Sequence, residues 1–485
     1  MLAFAVLGSA CTPLGPDYVR PEVDLPTEWK SAPGVDPSEW KQAQPADALP
    51  KYEWWTVFGD QQLNTLETRS LDGNLSLQAA VTRLDQALAQ SDFHAAALVP
   101  SVQAGGAASR LRISANRPKI SYTTPTSSTV QNDLRPVLSV NYEFDWLGKI
   151  RRNIESAHAS AQQAEADKEN MRLLVTAQVA TVYFQLRQTD EEIEVLSASA
   201  ALQEKVLQLI TTRYELGAAA RGDLLQQASL TDSTRAQLEL LKAHRDQQEN
   251  ALATLTGMPA AGFRLAPGKL PIMVPSLPLT VPSSLLERRP DIAAAERAMA
   301  AANAQIGVAQ AAYYPTLSLT PTYGGYESTN LDKLLGAPSL IWSLGVSASQ
   351  SLYDGGRIKA NVDFAKAGYA GAVANYRQSV LIGIQEVQDA LGNLQELGLA
   401  QQRQDKAVQN QVKTYQVHQI RYKEGLDNSF TLATTEQNLL GSQRVQSQIR
   451  GSQFLAAVSL VKALGGGWAM PSSTPDVTPE IGISH

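Results

Sequence analysis

Reactive chemistry along this chain begins with its one cysteine. Cys11 closes the run MLAFAVLGSAC, which is apolar, then small, then thiol. That order reads as the end of a lipoprotein signal peptide, with residues 1–10 removed and Cys11 the first mature residue and the lipid acceptor. No Lys or Arg precedes the run and the run is short, which reads as a start codon placed too late. An exported chain with no second cysteine has no disulfide framework. The remaining reactive side chains do not assemble. The histidines at 94, 158, 244, 418 and 485 show no metal spacing with one another or with the cysteine. No Gly-rich phosphate loop and no Ser, His and Asp set stands out. ARGD at 220–223 reads as a turn and a cap, and RR at 288–289, beside Asp291, as charge pairing at a helix start. Neither an enzyme nor a cofactor, other than lipid on Cys11, is expected.

Composition agrees with that negative result. Apolar residues are 44%, enough for a folded protein, while charged residues are only 18%, below the usual quarter. The net charge of −6 gives no electrostatic case for nucleic acid. No stretch reaches the ~18 uninterrupted apolar residues of a spanning helix. At 485 residues the chain could hold two to four ordinary domains.

What must position any functional residue is a repeat. RYELG at 213–217 returns as RYKEG at 421–425. At the same offset Gly148 meets Gly356, Ile150 meets Ile358, Asn153 meets Asn361, Leu224 meets Leu432 and Gly257 meets Gly465. Upstream, VPSVQ at 99–103 matches YPTLS at 314–318 with a shift, and the extra residues of the first copy fall in the polar tract 116–133. The chain is therefore one unit written twice, over 54–257 and 283–468, joined by a Pro-rich linker at 258–282. An arm at 11–53 precedes the copies and a tail at 469–485 follows them.

Each copy has the same order of elements: helix, two extended segments, a very long helix, a turn and another long helix. From Ile150 to Leu216 there is no Pro or Gly, which allows about 100 Å of helix at 1.5 Å per residue. Ile193, Leu196, Ala200, Gln203, Leu207, Ile210 and Tyr214 step by threes and fours, the seam of a coiled coil. Arg213 suits the negative end of the helix dipole, and Gly217 supplies the left-handed residue that ends the helix. Asp223 is expected to cap the next helix. Arg421 and Gly425 repeat this, with Asn428 or Ser429 as the cap. The two tips, Gly217, Ala218, Ala219 and Gly222 in one and Gly425, Leu426, Asp427 and Asn428 in the other, are small or polar apart from Leu426. Nothing in the chain's own core requires their sequence beyond the caps.

The extended segments alternate. In LSVNYEFDW at 138–146, Leu138, Val140, Tyr142, Phe144 and Trp146 take one face, and Ser139, Asn141, Glu143 and Asp145 the other. In the second copy Trp342, Leu344, Val346, Ala348 and Leu352 alternate with small polar residues. Aromatics at segment ends and a length near that of a tilted barrel strand favour a membrane barrel, with Leu138, Val140, Tyr142, Phe144, Trp342, Leu344 and Val346 toward lipid and Asn141, Glu143 and Asp145 toward a lumen. Four strands, near 101–112, 136–146, 316–326 and 341–353, cannot close a barrel, because the smallest single-chain barrels use about eight. An open edge in lipid leaves backbone groups unpaired, so closure must come from other subunits.

Several phrases resemble one family. They are CTPLGPDYVRPE at 11–22, WWTVFGDQQLNTL at 54–66, NLSLQAAVTRLDQA at 74–87, LLERRPDIAAAERAMAAANAQIGVAQAAYYPTLSL at 285–319, LYDGGRIKA at 352–360 and ALGGGW at 463–468. Together they make the chain similar to the TolC-like outer membrane factors of Gram-negative bacteria, in the lipoprotein (NodT-type) branch that serves tripartite efflux pumps. The resemblance implies an α plus membrane-β fold. In it, three chains build a 12-stranded outer-membrane barrel and a periplasmic α-barrel of long coiled-coil helices, with the linker as an equatorial belt. It implies a homotrimer in outer membrane lipid that passively conducts drugs, solvents or metal ions outward. A periplasmic adaptor would dock on the tips, and an inner-membrane RND pump would supply energy. It also implies a periplasmic gate, which falls here on Phe430 and, one turn later, Thr434, where several relatives carry Leu and Asp. Glu436 lies about 200° around the helix from Thr434 and is no simple substitute for a carboxylate ring. Two other classes are a duct for type I protein secretion on the same fold, and a periplasmic coiled-coil scaffold without a pore.

Overall fold

The computed structural model describes residues 13–21, 53–116, 129–271, 273–274 and 289–466. Cys11, most of the N-terminal arm, part of the Pro-rich linker and the C-terminal tail lie outside these residues. Helices α1 (Gln61–Gly73) and α2 (Leu75–Ala95) precede strands β1 (Ser101–Ile113) and β2 (Thr129–Phe144). Helices α3 (Lys149–Glu215) and α4 (Arg221–Leu255) complete the first copy. The second copy runs α5 (Pro290–Ala311), β3 (Thr316–Leu319), β4 (Thr322–Tyr326), β5 (Leu340–Ser343), β6 (Val346–Ser349), α6 (Arg357–Lys423) and α7 (Ser429–Ala463). Helices α3 and α6 are 67 residues each, and α4 and α7 are 35 each, so the duplication is kept residue for residue.

The four long helices also end alike. At the close of α3, Ala218 N donates to Arg213 O and Gly217 N to Tyr214 O, with Gly217 at φ 73°. At the close of α6, Leu426 N donates to Arg421 O and Gly425 N to Tyr422 O, with Gly425 at φ 72°. This paired-bond ending satisfies the last free carbonyls and needs a residue tolerant of positive φ, which is why glycine stands at both places. The same pair of bonds recurs at Gly257 and Gly465.

Compactness does not follow the repeat. One compact unit gathers Met1–Pro21, Leu84–Gln163 and Ala295–Asn375; the other gathers Glu22–Arg83, Ala164–Ala294 and Tyr376–His485. Each copy contributes to both units, because a single long helix or a few strands cannot bury their apolar face alone.

The first unit holds the sheet. β1 pairs antiparallel with β2 without interruption, from Ser101 opposite Asn141 to Ile113 opposite Thr129. The far edge of β2 takes β3, with Tyr142 opposite Leu319, and β4, with Ser139 opposite Thr322. β3 then pairs with β6 and β4 with β5. The result is a sheet four strands wide, in which the third and fourth positions are each divided in two. The strands expected near 316–326 and 341–353 are thus interrupted. Pro321, which has no N–H for a ladder, separates β3 from β4, and Leu344 and Gly345 lie between β5 and β6. β6 ends at Ser349, so Leu352 lies beyond it, and β2 begins at Thr129, earlier than expected. In the same unit, Pro13–Pro21 is strapped down by Arg152, whose guanidinium donates to Leu14 O (3.0 Å) and pairs with Asp17 (2.7 Å).

The second unit holds the aromatic core. Trp54, Trp55, Phe58, Leu63, Tyr183, Phe184, Leu252 and Phe454 are buried together, and Phe184 stacks on Phe454 at 4.9 Å. Linker residues 265–270 are held against α3 and α4 by ion pairs and backbone bonds. Asp190 pairs with Arg187 (2.8 Å) and Arg245 (2.6 Å) and accepts from Gly268 N (3.0 Å). The guanidiniums of Arg187 and Arg245 reach Ala266 O and Leu265 O. Arg289, opening α5, pairs with Asp291 and Glu386, both at 2.6 Å.

Candidate functional site: the sheet face and the hairpin tips

The ladder registers decide which strand residues share a face. Val102 stands opposite Val140, Ala104 opposite Leu138, Tyr142 opposite Leu319, Phe144 opposite Leu317, and Leu319 opposite Val346. These apolar side chains therefore line one face. Gln103, Ser139, Thr322 and Ser343 stand in register on the other, as do Ser101 with Asn141 and Glu143 with Ser318 and Ser347. Trp342, beside Ser343 in β5, falls on the apolar face and is 71% exposed. Val102, Leu138, Phe144, Leu344 and Val346 are exposed as well. Large apolar side chains left open across four strands fit lipid and not water.

Two residues assigned to the polar face do other work. Asp145 lies just past β2 and accepts from Ile150 N and Arg151 N, both at 2.9 Å, so it caps α3 and is not a strand residue. A carboxylate at a helix N-terminus is satisfied by free backbone donors and the dipole. Glu143 remains on the polar face and pairs with Lys149 at 3.0 Å.

At the tips, two expected caps move. The chain needs three residues after Gly217 to reverse, so α4 starts at Arg221 and its cap position is Ala220, which has no side-chain cap. Gly222 and Asp223 fall inside the first turn of α4, where Asp223 still complements the dipole. In the second tip Asn428, not Ser429, is the cap, and its Oδ1 accepts from Thr431 N at 2.8 Å. Arg213 is in the last turn of α3. Arg421 does more than end α6. It pairs with Asp427 at 3.0 Å, and His418 Nδ1 lies 2.8 Å from the same carboxylate. Arg421 first, then His418, hold the Asp427 carboxyl below its ordinary range. The first tip has Ala219 at the equivalent place, so the tips share a backbone and differ in side-chain bonding. Sequence reading found Asp427 without its partners; its one available signal was a histidine one turn before Arg421. Leu426 is exposed, as are Gly217, Ala218 and Gly425.

The positions expected to form a gate lie just beyond the second tip. Phe430 is 57% exposed, Thr434 is exposed, and Thr434 Oγ1 donates back to Phe430 O (2.9 Å). Leu432, Thr435 and Glu436 occupy the other side of α7 and are buried. Glu436 accepts from Ser199 Oγ (2.9 Å) and Gln203 Nε2 (3.3 Å) of α3, and burial pushes its carboxyl pKa up. Glu436 therefore fastens α7 to the α3 seam. In that seam Leu196, Ala200, Gln203 and Ile210 are buried, while Tyr214 emerges at the tip.

A sheet that among the described residues is open at both edges and is apolar on one face, carried with duplicated long helical hairpins, is the architecture of TolC-like outer membrane channels. A family model described as "Outer membrane efflux protein" matches residues 67–258 and 281–466. The chain is 32% identical over 441 residues to the pyoverdine export outer membrane protein OpmQ of Pseudomonas putida, covering 90% of this chain and 93% of that one. It is 30% identical over 484 residues to the toluene efflux pump outer membrane protein TtgF of the same species, covering 98% of each. Among solved structures, the outer-membrane channel OprN superposes with a TM-score of 0.84 at 28% identity, over 94% of this chain and 99% of that one. The open state of the Neisseria gonorrhoeae MtrE outer membrane channel gives 0.79 at 25%, over 96% and 100%. The chain belongs to the outer membrane efflux protein family. It is an outer membrane exit channel of an efflux system.

Proposed function

We propose that three copies of this chain close into one duct that passes small molecules outward without catalysis. One observation carries the oligomer. Among the described residues, the outer edge of β1 and the outer edge of β5 and β6 have no strand partner, although one face of this sheet is built for lipid. Unpaired strand edges inside a bilayer cost several kcal/mol per group. Joining β1 of one copy to β5 and β6 of the next removes both edges, and the family resemblance sets the number at three, giving twelve strands. The polar face then lines the bore with Ser, Thr, Asn and Gln together with the charged Asp133, Arg135 and Glu143, side chains that keep it wetted. Relatives named for pyoverdine, toluene, solvents and antibiotics support organic small molecules as cargo. The tips meet a periplasmic adaptor, and an inner-membrane RND pump drives the flow. Cys11 carries lipid that adds an anchor to the barrel, and metabolic labelling with a clickable fatty acid marks the wild type and not Cys11→Ser.

The test is native mass spectrometry in detergent followed by planar-bilayer recording. A mass of three chains with steady conductance is expected. A folded, non-conducting monomer would refute the proposal.

A further inference from the structure

The apolar face of the sheet stops at a definite height, and what stands there is cationic. On β2 the lipid-side positions from Phe144 up to Leu134 are apolar: Phe144, Tyr142, Val140, Leu138, Pro136 and Leu134. Ten residues of antiparallel strand are about 34 Å long, and a tilt near 40° makes them about 26 Å tall, against an apolar band about 25 Å tall in outer-membrane barrels. The next lipid-side position is Asn132, and its partner across the ladder is Arg110. One step further Arg112 stands opposite Val130. The register of β1 with β2 has no bulge, so Arg110 and Arg112 share the face of Val102, Ala104 and Ala108, and both are exposed. The helices attach at the opposite ends of β1 and β2, so this rim belongs to the outer leaflet.

Beside Arg110 is a hollow of 790 Å³ between the strand ends and the β4–β5 connection. Leu134 and Leu331 are apolar members of its lining, and Asn132 and Asn330 polar ones. Arg110 and Asp332 are the charged groups in its lining among the described residues, and Arg112 stands one step further along the same face.

We propose that this rim binds the phosphorylated headgroup of an outer-leaflet glycolipid, with Arg110 and Arg112 on phosphate and the hollow accepting the root of an acyl chain. Guanidinium on phosphate is the charge-assisted, two-pronged pairing that arginine makes best. Cations placed at the edge of an apolar band gain that pairing without entering hydrocarbon. The inference rests on the barrel reading above, and its test separates the two.

The assembled wild type and Arg110→Gln/Arg112→Gln are purified in detergent and offered bis-phosphorylated lipid A or the same lipid dephosphorylated, with retention counted by native mass spectrometry. Wild type should retain the phosphorylated lipid roughly tenfold better than the double variant, about 1.4 kcal/mol, and the variant should not distinguish the two lipids. Millimolar inorganic phosphate should not displace the lipid. Displacement would assign the rim to free anions and overturn the proposal, as would equal retention of both lipids by wild type, a result that needs no variant. Both proteins are also recorded in bilayers. Matching conductance with no lipid discrimination rejects the rim alone, whereas absent conductance in wild type rejects the barrel.

Discussion

Phe430 and Leu432 sit two residues apart on α7 and face opposite ways, which makes them a matched pair for the gate. Phe430 is 57% exposed and Leu432 is 8% exposed. Fully burying a phenylalanine stabilises by about 1.5–3 kcal/mol, so Phe430, less than half buried, contributes about 1 kcal/mol to the folded protomer. Leu432 lies on the side of α7 that carries buried Glu436, where truncation to alanine costs about 2–5 kcal/mol. Phe430→Ala should therefore leave trimer stability nearly unchanged, while taking three rings from a narrow bore and raising conductance in planar bilayers without an adaptor. An apolar constriction of this kind gates by dewetting, so a modest widening has a large effect on flow. Leu432→Ala should do the reverse, lowering the melting temperature with little change in single-channel current. Thr434→Asp would place three carboxylates one turn from the Phe430 ring and shift the pore toward cations. If Phe430→Ala destabilises the trimer as much as Leu432→Ala and leaves conductance unchanged, Phe430 is a seam residue and the gate lies elsewhere.

Three further outcomes follow from buried charge and from the tips. Glu67 is fully buried, neither oxygen has a hydrogen-bond partner among the described residues, and burial raises its pKa well above the ordinary carboxylate value. Its folded pKa exceeds its unfolded one, so its stability contribution is full below the ordinary carboxylate range and is lost as pH rises through the raised pKa. Glu67→Gln should flatten that fall in thermal scans from about pH 4 to 8, and parallel wild-type and variant profiles would contradict the assignment. Asp190→Ala leaves the buried Arg187 guanidinium with neutral acceptors alone, Ala266 O and Gln62 Oε1, leaves Arg245 with Glu249, and frees the linker at Gly268. It should cost about 3–5 kcal/mol, read as a lower melting temperature than wild type. Ala219→Arg with Leu426→Arg should abolish efflux in cells while the trimer still inserts and conducts, and full efflux would rule out docking through these side chains.

The sequence by itself determined whatever depends on neighbours along the chain. The two 67-residue helices were legible because their interiors exclude proline, and because Gly217 and Gly425 mark ends that only a left-handed residue makes cheaply. The lipid face of β2 was legible because strand side chains alternate with period two. Resemblance added the family, which local physics does not name. Tertiary structure decided what depends on partners far apart in the chain. Pairing of Glu436 with Ser199, of Asp190 with Arg245 and of Arg187 with Gln62 follows from helix rotation and crossing, which no local pattern encodes. Asp223 lost the cap role, and Asn428 took it ahead of Ser429, because a cap belongs to whichever residue the turn leaves at the helix boundary, three residues before Asp223 in one tip and one before Ser429 in the other. Asp145 went from a wall to a cap for the same reason, β2 ending at Phe144, two residues short of the expected end. Only the register of β1 on β2 placed Arg110 and Arg112 with the apolar residues, because a slip of one position turns every side chain to the opposite face.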